Sequence, residues 1–180
     1  RIMNYDVVKE YKNARRSIGL SPQEINLDVF FTIRQILNFQ AGYYGMPSKI
    51  ASKRVDAILK KLDIYDKRNN TARHLSGGMK KRVGIARAIA IDPEYILYDE
   101  PTTGLDPITT DKINHLIKNI TLNKNKTSII VTHEMKIVNE TVNKVFMLYE
   151  GNIIFEGSPE ELYSSTDRYI KYFTTGKKEI

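Results

Sequence analysis

Apolar positions recur at helical spacing through the first half of the chain and gather into short runs in the second. Between Thr32 and Tyr44, Ile33, Ile36, Leu37 and Phe39 lie near a 3.6-residue period. A helix is expected there, ended by Gly42 and Gly45-Met46-Pro47. Ser48 is expected to cap a second helix carrying Ile50, Val55, Ile58, Leu59 and Leu62. After a polar loop, Asp66–Arg73, a third helix is expected from Ser76, bearing Val83, Ile85, Ala86, Ile89 and Ala90 and stopped by Asp92-Pro93.

The strand signals are shorter. Ser17–Leu20 reads as a strand entering a turn at Ser21-Pro22. Tyr95–Tyr98 is an apolar run that ends in two acids, Asp99 and Glu100, as a buried strand delivering charge at its carboxyl end does. Pro107 opens a helix with Ile113, Leu116, Ile117 and Ile120, and Ser128–Val131 is a further buried strand closed by Thr132-His133-Glu134. Lys144–Tyr149 and Asn152–Glu156 predict a hairpin around Glu150-Gly151, with short helices after it. Strands alternating with helices imply an α/β fold with a parallel sheet, and the helix-rich stretch from Asp28 to Ile91 reads as a subdomain inserted in it.

Composition narrows the classes. The 180 residues make one ordinary domain or a large piece of one, and 41% apolar residues are enough for a core. No apolar run approaches the roughly 18 residues that span a bilayer. Arg1 begins a mixed polar stretch, and no signal peptide is legible. The absence of Cys excludes disulfides and thiolate metal sites. The net charge of +7 suits nucleic acid, an anionic membrane face or nucleotide phosphates, or else a Lys-rich solvated surface, and its basic residues are scattered.

The chemistry lies in five places. Ser76-Gly77-Gly78 opens a helix, where unpaired N–H groups and a partial positive charge attract anions; a Ser cap after a flexible turn accounts for the same residues. Asp99-Glu100 places adjacent carboxylates at a strand end, a repulsion that a magnesium ion relieves. Two solvated acids are the plain alternative. Gly104-Leu105-Asp106 follows in a turn. His133 stands at the end of the next strand, able to donate to a phosphate oxygen or to serve structure alone. Gln23 offers a neutral amide after the first strand, or is a surface turn residue.

Together these residues resemble the ABC ATPase family, from about Ser17 to Glu161. Leu75-Ser76-Gly77-Gly78 is similar to its signature motif and Ile96–Pro101 to its Walker B strand. Gly104–Asp106 resembles the D-loop, Gln23 the Q-loop glutamine and His133 the switch histidine. The resemblance implies a P-loop NTPase (RecA-like) core with a parallel sheet and an inserted helical subdomain. Its parts would be 1–27, core with Q-loop; 28–92, helical subdomain with signature; 93–160, core with Walker B and switch histidine; and 161–180, a helical tail.

It also implies ATP and Mg2+ as ligands and gives each residue a role. Asp99 would hold magnesium through water, Glu100 would be the general base, and Gln23 would contact metal or water. His133 would contact the terminal phosphate. Ser76, Gly77 and Gly78 would face the ATP of an opposing subunit, and Asp106 would join the two sites. The implied partners are a second nucleotide-binding domain, as homodimer or heterodimer, and a transmembrane permease subunit, with no nucleic acid. The implied location is peripheral, on the cytoplasmic face of the inner membrane.

Two departures qualify this. The family's Gly-x-x-x-x-Gly-Lys-Ser/Thr loop is absent, and Gly176-Lys177-Lys178 holds the only Gly-Lys pair, at the wrong spacing. The expectation is a chain whose first part is missing, and 180 residues that alone do not hydrolyse ATP. Met79 stands where many importers have Gln, a likeness to exporters and lipid-trafficking systems. Asn13–Arg16 and Gln40–Gly45 are similar to bacterial exporter ATPases, and Met147–Gly151 to Mla-type ATPases. A non-catalytic fragment and a soluble ABC ATPase acting on ribosomes or DNA are the alternative readings.

Overall fold

The structure is a computed structural model that describes residues 1–122 and 126–176. Lys177 and Lys178 of the Gly-Lys pair, and the last four positions of the expected tail, lie outside the described residues. The chain divides into two compact units, Arg1–Thr132 and His133–Ile180.

The first unit runs α1 (Tyr11–Arg16), β1 (Ile18–Ser21), α2 (Ile33–Tyr43), α3 (Ser48–Lys61), α4 (Gly77–Ile89), β2 (Tyr95–Asp99), α5 (Pro107–Thr121) and β3 (Thr127–Val131). Its three strands are parallel in the order β1-β2-β3, with Leu20, Leu97 and Ile129 in one row across the sheet. This is the α/β sheet expected from the alternation of elements.

Helices cover one face of that sheet. Ile96 and Tyr98 are fully buried there, and burial pushes the Tyr98 phenol above its usual range. Gly19 lets β1 lie directly on α4, because a Cβ at that position would run into the Ala88 carbonyl oxygen. The opposite face is open: Leu20, Ile129 and Val131 are each more than half exposed. The expectation that Ser128–Val131 is buried is therefore corrected. Successive strand residues point to opposite faces, and only one face is covered among the described residues.

The helices are ended by local chemistry. Thr32 and Gln35 form a reciprocal capping box at the start of α2. At its end Gly45 takes φ 81, the Gly45 N–H donates to Gly42 O and the Met46 N–H to Ala41 O, a Schellman closure. The same closure ends α3 with Asp63 at φ 52 in the glycine position. Ser48 is the first residue of α3 rather than its cap. The Pro47 carbonyl already accepts from Ile50 and Ala51, which starts the helix one residue earlier. The segment read as a polar loop holds two short 3-10 turns, Tyr65–Lys67 and Ala72–His74, with Ala72 buried. Phe30, Phe31 and Tyr43 are exposed, so they are not core.

The second unit comprises α6 (Met135–Thr141), β4 (Val145–Tyr149), β5 (Asn152–Gly157), α7 (Pro159–Ser164) and α8 (Arg168–Thr175). The hairpin forms where it is expected. Glu150 and Gly151 both take positive φ, 47 and 78, as a two-residue turn between twisted strands requires. Met147, Leu162 and Ile170 form its core, with Met135, Val138, Val145 and Phe155 packed around them.

Candidate functional site

Ser76 caps α4: its Oγ accepts the Met79 N–H at 3.3 Å. Ser76 and Gly77 are exposed, whereas Gly78 is buried against α5, where a Cβ would strike the Thr109 methyl. The glycines thus serve two ends. Gly77 leaves the helix start open to solvent, and Gly78 lets α4 approach α5.

The helix behind this start is anchored from both sides. Arg82 donates through Nη1 to the carbonyls of Leu62 at 3.1 Å and Asp63 at 2.9 Å, filling the acceptors at the end of α3. Arg54 on α3 reaches the other way, donating to Ala90 O at 2.7 Å and Ile89 O at 3.0 Å at the end of α4. Arg54 and Lys126 meet on the Asp92 carboxylate, which opposes the effect of burial and holds it below the ordinary Asp range.

β2 delivers Asp99 and Glu100 to the carboxyl edge of the sheet. Asp99 is exposed and stands opposite Val131 in the ladder. Glu100 leaves the sheet at φ 42, a left-handed conformation uncommon for a residue with a Cβ. Its N–H still donates to Val131 O at 2.9 Å, and its Oε2 accepts the Thr103 hydroxyl at 3.0 Å. Gln23 lies just past the end of β1 with its side chain in solvent. The structure brings Gln23 and Glu100 together through Lys81, whose Nζ donates to both their carbonyls.

Asp106 caps α5, its Oδ1 accepting the Thr109 N–H at 3.0 Å. Hydrogen bonds from the Thr109 side chain and backbone hold this carboxyl below the ordinary Asp range. His133 is exposed and opens the second unit, just before α6.

Lys81 was not singled out by its residue type. Its signal is spacing: Gly78, Lys81, Ile85 and Ala88 fall on one buried stripe of α4, although Lys80 and Arg82 flank it. Burial pushes its ammonium below the ordinary Lys range, and the carboxylates of Glu100 and Asp99 oppose that shift.

Among the described residues no group of three or more His, Asp or Glu could hold a metal alone. Magnesium binds through one or two carboxylates and substrate phosphates and keeps several waters. The exposed Asp99 beside Glu100 is such a donor set. Among the described residues no helix is long and apolar enough to cross a membrane.

A parallel sheet with acids at its carboxyl edge and a glycine-opened helix beside it sets polar groups where open α/β sheets bind ligands. Residues 1–103 match the family described as ABC transporter, and the chain belongs to that family. It is 37% identical over 168 residues to the methionine import ATP-binding protein MetN 1 of Shouchella clausii, covering 91% of this chain and 49% of that one. CbiO1 of Clostridium perfringens, part of the ABC transporter complex CbiONQ, superposes with a TM-score of 0.78 at 32% identity, over 91% of this chain and 66% of that one. The dimeric ATP-binding cassette MJ0796, bound to ADP and Pi, gives a TM-score of 0.74 at 29% identity, over 87% and 68%.

The P-loop NTPase fold expected from the sequence is therefore the fold of this chain. The chain spans about half the length of the MetN relative. That one match covers both halves of the chain, and its protein is named for import, in contrast to the exporter likeness expected from Met79.

Proposed function

We propose that the complete polypeptide is the ATP-hydrolysing subunit of an ABC transporter, and that these 180 residues carry its Walker B, Q-loop and signature elements. The observation that carries this reading is the pair Asp99 and Glu100 at the carboxyl end of a parallel strand, with the Glu100 backbone bound to Gln23 through one buried lysine.

Asp99 would hold magnesium, and the metal when bound would neutralise charge on the phosphates. Glu100 takes a proton from the water that attacks the terminal phosphorus, and ADP leaves. Gln23 contacts water or metal, and His133 donates to the terminal phosphate. Ser76 and the N–H groups of Gly77 and Gly78 meet a triphosphate held by a second copy or a paralogue, and Asp106 lies between the two sites. The dimeric neighbour bound to ADP and Pi supports this shared site. Residues 28–92 act as the helical subdomain within the core formed by 1–27 and 93–160, with 161–180 as a tail.

The partner is a transmembrane permease, which places the subunit peripherally on the cytoplasmic membrane face. The MetN relative, named for methionine import, supports uptake rather than export. The exposed Phe30 and Phe31 just before α2, and Tyr43 at its far end, are the apolar residues offered to that partner. The 180 residues alone do not turn over ATP, because no Gly-x-x-x-x-Gly-Lys-Ser/Thr loop is among them.

Glu100→Gln in the full-length subunit tests the reading. Nucleotide binding is expected to persist while phosphate release falls by about 10²-fold or more. Hydrolysis at near wild-type rate in that variant removes the general-base role.

A further inference from the structure

Ser21 pairs with Tyr98 in the β1–β2 ladder, so Gln23 and Glu100 each lie two residues beyond the same rung. They do not continue the sheet. Glu100 turns away at φ 42 and bonds β3, while Pro22 and Gln23 leave β1. The two strand ends part, and the Lys81 ammonium fills the gap. It donates to Gln23 O at 2.6 Å and to Glu100 O at 3.1 Å, from a side chain in a residue only 8% exposed. An ammonium buried this far is disfavoured without partners. Here two carbonyls and the nearby charges of Asp99 and Glu100 supply them.

We propose that Lys81 is a positioning residue: it fixes the distance between the Gln23 and Glu100 backbones and couples both to α4, the helix opened by Ser76-Gly77-Gly78. The inference rests on the ATPase reading for its consequence, but the strap itself is a property of the fold. A displacement of α4 is carried by one side chain to both residues. Packing alone does not require an ammonium at this position, since a methionine fills a similar volume. The two carbonyls are placed by the charge, and a side chain's reach begins at its backbone.

The test is Lys81→Met in the full-length subunit, read by amide hydrogen exchange and by steady-state kinetics. Exchange is expected to rise by about tenfold at Glu100, Thr103 and Leu105, whose N–H groups donate to Val131 O, Glu100 O and Thr102 O, while residues 83–89 of α4 and 95–98 of β2 keep wild-type protection. The kcat is expected to fall by about tenfold with KM for ATP within about twofold. Lys81→Arg, which keeps several donors on a stem of similar length, is expected to recover most of both losses. If Lys81→Met does not accumulate as folded protein, Lys81→Leu, which also lacks a donor, carries the same expectations. Wild-type exchange at Glu100, Thr103 and Leu105 overturns the proposal, as does loosening spread evenly over α4 and β2, a raised KM at unchanged kcat, or an Arg variant as impaired as the Met variant. If the wild-type subunit shows no ATPase activity, the functional reading fails, and the exchange contrast still decides the strap.

Discussion

The Thr103 hydroxyl donates to Glu100 Oε2 at 3.0 Å, just past the bend that turns Glu100 out of β2. The bond aims a carboxylate whose backbone is already held by Val131 and Lys81. Thr103→Val keeps the shape and removes the donor. One hydrogen bond contributes about 1 kcal/mol, so kcat of the full-length ATPase is expected to fall roughly fivefold with nucleotide affinity unchanged. Parallel turnover and nucleotide-binding titrations check this; unchanged turnover means the bond does not orient the base.

Arg82 closes the end of α3 through two carbonyls, and its salt bridge to the Asp63 carboxylate is largely exposed on the acid's side. The carbonyl bonds dominate, because exposed ion pairs contribute little. Arg82→Ala is expected to destabilise by about 2 kcal/mol, and Asp63→Asn by less than about 0.5 kcal/mol. Urea unfolding of both variants separates the two contributions.

The same substitution has opposite signs at two glycines. Gly19→Ala drives a methyl into the Ala88 backbone carbonyl and is expected to destabilise by about 3 kcal/mol or more. Gly42→Ala lies in α2 with nothing near its new Cβ, and is expected to stabilise by about 0.5–1 kcal/mol. Thermal midpoints of the pair check the difference; a stabilised Gly19→Ala contradicts the close approach of β1 and α4.

Asp106 is an acid whose folded-state pKa lies below its unfolded value of 3.8. Its cap therefore stabilises fully above that value and loses its contribution as pH falls through the lower folded pKa. Asp106→Asn, also a good cap, is expected to flatten the loss of stability below about pH 4, and Asp106→Ala to lower stability at neutral pH. Unfolding midpoints between pH 2 and 7 distinguish the variants.

Much of the fold was legible because its signals are local. Periodicity placed α2, α3 and α4 to within a residue or two, Pro107 marked the start of α5, and Glu150-Gly151 marked the hairpin turn. α1 and α6 were not anticipated. They are short, and each buries a single residue, Ala14 or Ile137, which leaves no periodic stripe to read. The strand signal at Ser128–Val131 was sound, but its burial was not, since an apolar run does not state how many sheet faces are covered.

The site divides along the same line. Chain order by itself determined that two acids end a strand, that Ser76 and two glycines open a helix, and that no phosphate-loop sequence is present, because each is a matter of adjacent residues. Only the tertiary structure decided that Lys81 reaches Gln23 and Glu100 and that Gly78 serves packing. These contacts join residues far apart in sequence, or depend on a backbone turn such as that at Glu100. Their geometry exists only once α4 has been laid against β1 and α5.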